Sequence, residues 1–180
     1  NPSPTVEKWD GSSWSSVADM PTAREQLAAT SDSNGNIYAI GGVDADGNKL
    51  ATVEKWDGSS WSSLPDMPTA RGILAAASDS NGNIYAIGGF DETGGVVPTP
   101  TVFATVEKWD GSSWTSLPDM PTARIGLAGT SDEYGNISAI GGEDANGNNL
   151  ATHDPWDGSS WTSIADITTA RTTLHAPAVC

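Results

Sequence analysis

Apolar positions fall in short runs broken by polar turns, and no window sustains the 3.6-residue spacing of a helix. In "GILAAASDSNGNIYAIGG" (72–89), two such runs flank Asn81-Gly82. Asn-Gly between apolar runs is the strongest short hairpin signal. It predicts a type I′ turn, in which both central residues need positive φ. "ATVEKWDGSSWSSL" (51–64) is a second pair of runs, turning at Asp57-Gly58. The prolines of "PDMPTAR" (65–71) stop the strand before them. The pattern predicts a unit of four short antiparallel strands, counted first to fourth from "GILAAAS".

The unit recurs along the chain. Trp-Asp stands at Trp9, Trp56, Trp109 and Trp156, and the arginine closing "PTAR" or "TTAR" at Arg24, Arg71, Arg124 and Arg171; both series step by 47, 53 and 47 residues. The long step holds six extra residues within "DETGGVVPTPTVF" (91–103), a loop extension inside one repeat. Complete sets are expected at about 26–66, 73–119 and 126–166. A third and fourth strand precede them in 4–19, and a first-type strand, "TTLHAPAV", follows in 172–179. Residues 1–180 therefore read as one all-β array.

A four-stranded unit cannot bury both faces alone, and stacking such units fits a β-propeller. The first strands carry small residues, "LAAT" (27–30), "LAAA" (74–77) and "LAGT" (127–130), suited to converging on an axis. Each repeat also places two tryptophans about its Asp-Gly turn: Trp9 and Trp14, Trp56 and Trp61, Trp109 and Trp114, Trp156 and Trp161. At ~150–250 Å² buried per ring they are expected to pack between blades.

These features resemble the Kelch repeat family: the diglycine of "IYAIGG" (37–42 and 84–89), then "VEKWDGSSW", then "DMPTAR". The resemblance covers essentially the whole chain. It implies a propeller of four-stranded antiparallel blades, usually six or seven in the family and often sealed by strands from both termini. Two departures stand out: Ser138 replaces the tyrosine of Tyr38 and Tyr85, and "THDPWD" (152–157) replaces "TVEKWD".

Fifteen strands make three complete blades and part of a fourth. Three arrangements fit: a fragment of a longer propeller, a solitary four-bladed ring, or blade completion between copies. In the last, Leu174, Ala176 and Val179 of one chain pair beside Thr5, Val6 and Trp9 of another, and Pro177 is tolerable on such an edge.

Twenty-three acidic against eight basic residues give a formal charge of −15, which makes nucleic acid and anionic membranes poor partners. No stretch approaches the ~20 apolar residues of a membrane span, so no membrane insertion is expected. The one cysteine, Cys180, rules out an internal disulfide framework and leaves a bond between chains open. An acidic composition rich in Ser, Thr, Asn and Gly leans toward an extracellular or cell-surface setting.

Galactose oxidase is built on Kelch-like repeats, and a copper site of that type needs two histidines, two tyrosines and a cysteine. The candidates here are His153, His175, Tyr38, Tyr85, Tyr134 and Cys180; Tyr38 and Tyr85 share one repeat position, which makes them structural. "DADGN" and "DANGN" align Asp44, Asp46 and Asn48, and Asp144, Asn146 and Asn148, as a calcium loop would, although the same residues build ordinary hairpin loops. The four arginines suit links between blades through carboxylates and carbonyls. Asn136-Ile137-Ser138 fits the N-glycosylation pattern. No catalytic residue and no cofactor is expected, calcium being the one ion these loops could take.

The sequence thus predicts a non-catalytic propeller module acting in protein binding or self-assembly, its partners being proteins that include further copies of itself. By resemblance, partners dock on loops joining second to third strands (about 43–50, 90–103 and 143–150) and fourth to first strands (the "DMPTAR" connections). Asp91, Glu92, Thr93, Val96, Val97, Thr99 and Phe103 of the insertion are the most individual. The alternative is part of an extracellular carbohydrate-binding or carbohydrate-active, galactose-oxidase-like protein with its chemistry outside this chain.

Overall fold

The computed structural model describes residues 1–92 and 100–173, and its regular structure there is all β-strand. The expected contacts Thr93, Val96, Val97 and Thr99, and the edge residues Leu174, Ala176 and Val179, lie outside the described residues.

Blades follow one another along the chain. β1 (Glu7–Trp9) and β2 (Trp14–Ser16) form a two-stranded sheet. β3 (Ala28–Ser31), β4 (Ile37–Ile40), β5 (Val53–Trp56) and β6 (Trp61–Leu64) form a four-stranded antiparallel sheet in chain order. In the next blade β7 (Ala75–Ser78) and β8 (Ile84–Ile87) are followed by a small hairpin, β9 (Phe90–Asp91) with β10 (Thr101–Val102). That hairpin is the stem of the insertion. β11 (Val106–Trp109) and β12 (Trp114–Leu117) then complete the sheet as β7-β8-β11-β12.

The third set differs in its outer strand. β13 (Ala128–Ser131), β14 (Ile137–Ile140) and β15 (His153–Trp156) pair in order, but the expected fourth strand is reduced to one bridge between Trp156 and Trp161. Pro155 is the cause. Its carbonyl accepts from the Thr162 amide at 3.1 Å, yet it has no N–H to return the bond that Lys55 or Lys108 has available at the equivalent place.

The hairpin between first and second strands also differs from the expected type I′ turn. Gly82 takes φ of 81° while Asn81 does not adopt a positive φ, and the Gly82 amide donates to Asp79 O at 3.0 Å. This is a type I turn closed by a glycine bulge. The Asp79 side chain selects it: Oδ1 accepts the amides of Asn81 and Asn83, and Oδ2 accepts from the Asn83 amide group and the Tyr85 hydroxyl. Asp32 holds Tyr38 in the same way, and burial plus that bond push the Tyr38 phenol up to about 12.

First strands β3, β7 and β13 stand side by side around a channel of about 320 Å³, lined by Ala29, Ala76 and Gly129 among others. A Cβ on Gly129 would sit 3.0 Å from Ala76 O, so the small residues set how closely the strands converge. Two apolar clusters fill the joints between blades. One joins Ile40 and Val53 to Ile84 and Trp109; the other joins Ile87 and Val106 to Ile137 and Trp156.

Candidate functional site

The joints between blades are built from the repeated arginines. Arg71 is bonded to two blades at once. Its amide donates to Leu50 O and its carbonyl accepts from Gly42, both in the preceding blade. Its guanidinium reaches into the following blade, donating to Gly88 O at 2.9 Å and Thr105 O at 3.1 Å, and pairs with Glu107 Oε1 at 2.9 Å. Thr69 Oγ1 donates to the same carboxylate oxygen. Burial lowers the arginine's pKa, and the Glu107 charge opposes that shift.

Arg24 repeats the arrangement with Gly41 O, Thr52 O and Glu54, and Arg124 with Gly141 O, the Thr152 hydroxyl and Asp154. Arg171 keeps only the first half. Its amide donates to Leu150 O and its carbonyl accepts from Gly142, but its side chain is exposed and meets no carboxylate among the described residues. Arg24, Arg71 and Arg124 thus each bond to a carbonyl and a carboxylate of the following blade, and Arg171 does not among the described residues.

The tryptophans divide in the same way. Within each hairpin the two rings lie 5.5–5.8 Å apart and tilted. The second ring's N–H donates to the preceding blade: Trp61 to Ala18 O, Trp114 to Pro65 O and Trp161 to Pro118 O, each at 2.9 Å. Trp109 and Trp156 are 5 % exposed, whereas Trp9 and Trp14 are 49 % and 67 % exposed. Ile37 is 42 % exposed where its equivalents Ile84 and Ile137 are sealed. Between β1–β2 and β4 lies a groove of about 500 Å³, walled by Val6, Trp9, Val17, Ile37, Ala39 and Trp56. Thr5 beside it is exposed, its hydroxyl 2.8 Å from that of Ser3.

The stem of the insertion is tied to the neighbouring loop. Lys49 Nζ lies 3.2 Å from Glu92 Oε2 and 4.7 Å from the centre of the Phe90 ring. Asp91 accepts the amide of Glu92. Phe103 is half-buried beneath the Arg71 guanidinium, and its carbonyl accepts the Arg124 amide, so it belongs to a joint rather than to the loop surface.

Asp44 Oδ1 accepts the amides of Asp46 and Asn48, and Oδ2 the Asn48 side chain; Asp144 does the same with Asn146 and Asn148. These carboxylates are engaged in closing their own loops. Among the described residues no three His, Cys, Asp or Glu side chains gather as a metal set. His153 bonds Ser138, and the Asn136 side-chain amide donates to Asp132. The channel mouth carries Asp32, Asp79, Asp132 and Glu133.

The blade order, the paired tryptophans and the arginine joints define a β-propeller array, and Kelch motifs match residues 33–68 and 75–121. The chain thus carries Kelch repeats, which in general mediate protein interactions. A search of curated protein sequences gave no match. Among solved structures the chain is similar to that of YjhT, with a TM-score of 0.75 over 94 % of this chain and 16 % sequence identity. It spans 61 % of the YjhT chain, and at that identity the likeness shows the fold alone.

Proposed function

We propose that the protein is a non-catalytic protein-binding propeller module that assembles with further copies of itself by completing a blade between chains, outside the cell or at its surface. The observation that carries this reading is the contrast between equivalent residues. Trp109, Ile84 and Ile137 are buried by a neighbouring blade, while Trp9 and Ile37 flank an open apolar groove. Unpaired edges and apolar faces of this kind are routes to assembly. The ion pair from Lys49 to Glu92 joins the loops of two adjacent blades, so other protein partners would meet them as one surface.

Light scattering behind a sizing column tests the proposal. A mass of two or more chains supports it; a single-chain mass at every concentration sinks it.

A further inference from the structure

The arginine joint has two halves, and among the described residues one copy of each is unmatched. By the repeat spacing Glu7 is the equivalent of Glu54, Glu107 and Asp154, and Thr5 that of Thr52, Thr105 and Thr152. Glu54, Glu107 and Asp154 are sealed, each holding the arginine that leads into its blade. Glu7 is exposed on β1 and has no ion-pair partner among the described residues. Arg171 stands at the other end, its main chain docked on the preceding blade as in the other repeats and its guanidinium exposed.

We propose that Arg171 of one copy pairs with Glu7 of a second copy, rebuilding between chains the joint that Arg71 makes with Glu107 inside one. This rests on the self-assembly reading and names the residues that would specify it. Three further features match. Thr5 supplies the carbonyl equivalent to Thr105 O, and Thr169 the hydroxyl equivalent to that of Thr69. Ala165, equivalent to the acceptor Pro118, is the position that the exposed Trp14 N–H would reach on the preceding blade. The backbone at the joint is also already set: Thr173 takes φ of 58°, as do Gln26 at 55°, Ile73 at 50° and Gly126 at 59° at the same place in their repeats.

The resulting contact is head-to-tail. Ile140, His153 and the 49 % exposed Ile164 of one copy face Trp9 and Trp14 of the next. The partner is a second copy because both halves reside on this chain with matching charge and register. Two such contacts close a ring of two chains.

Reciprocal charge reversal tests the pairing. Both side chains are exposed in the single chain, so Arg171→Glu and Glu7→Arg should leave the thermal midpoint of the isolated chain unchanged. Each variant alone should run at single-chain mass, with assembly weakened at least ~100-fold. An equimolar mixture of the two should return to the wild-type mass, since both contacts in the mixed pair then join opposite charges. If the wild-type chain assembles but the single variants assemble equally well, or the mixture stays at single-chain mass, the Arg171–Glu7 joint is wrong and self-assembly stands. If the wild type is itself a single chain at all concentrations, the self-assembly reading and the joint fail together.

Discussion

Arg71 Nη2 stands 2.9 Å from Glu107 Oε1, both side chains sealed from solvent, while the Arg71 main chain is bonded to the preceding blade. One residue thus ties two sheets. Removing one member of a buried pair leaves an uncompensated charge, which costs roughly 3–5 kcal/mol. Glu107→Gln should lower the unfolding free energy measured by urea denaturation by that amount, whereas Arg171→Gln, at the same repeat position but exposed, should shift it by no more than ~0.5 kcal/mol.

Tryptophan burial gives a second contrast. Trp109→Ala removes a ring from a closed joint and should cost about 3–5 kcal/mol, and Trp9→Ala less than half of that. Acrylamide should quench Trp9 and Trp14 in the single chain, and quenching should fall as protein concentration rises if these rings enter a contact. Unchanged quenching across a concentration series in which the mass increases would place the contact elsewhere.

The Asp-Gly turns confer an acid dependence. Asp57, Asp110 and Asp157 are held down to about 2, led by the Ser60 amide, the Ser113 amide and the Ser159 hydroxyl respectively. Asp10 is lowered as well, led by the Ser13 amide. An aspartate depressed in the folded state stabilises above its unfolded value of ~3.9, and that contribution is lost as pH falls through the folded value. Thermal midpoints should therefore be flat between about pH 5 and 9 and drop between about pH 4 and 2. Asp57→Ala should flatten part of the drop.

Glycine substitutions separate two requirements. Gly82 and Gly88 both have positive φ, at 81° and 61°. A Cβ at Gly82 meets nothing within 4 Å, so Gly82→Ala should cost only the left-handed penalty of ~1–2 kcal/mol. A Cβ at Gly88 would lie 2.6 Å from Arg124 O, so Gly88→Ala should cost at least ~2 kcal/mol more, because a backbone carbonyl must move. Chemical denaturation of the two variants checks the difference; equal costs would contradict the close approach.

Blade architecture was legible because strand alternation, turn chemistry and the 47-residue step all agreed, and Trp56 with Trp61 marked where sheets pack. The turn at Asn81-Gly82 was misread because the signal was taken from two residues, while the Asp79 carboxylate, two positions earlier, decides the geometry. The weak outer strand of the third blade follows from Pro155, visible in the sequence, but its effect depends on which way the missing N–H faces. Least legible were the ends. Trp9 and Trp109 sit in the same motif, and Arg171 and Arg71 in nearly the same one; what separates them is that, among the described residues, only Trp109 and Arg71 meet a neighbouring blade at that face.

The Ile73 amide donates to Gln26 O and the Gly126 amide to Ile73 O, and Arg24, Arg71 and Arg124 each reach a glycine carbonyl and a carboxylate of the following blade, so the joints within the described residues are chemically alike. A recombination that deletes or duplicates the residues between two equivalent arginines would therefore leave every other boundary intact. Blade number in such a gene is free to drift in whole units, and the sequence between the joints has to be selected only as a part that fits itself.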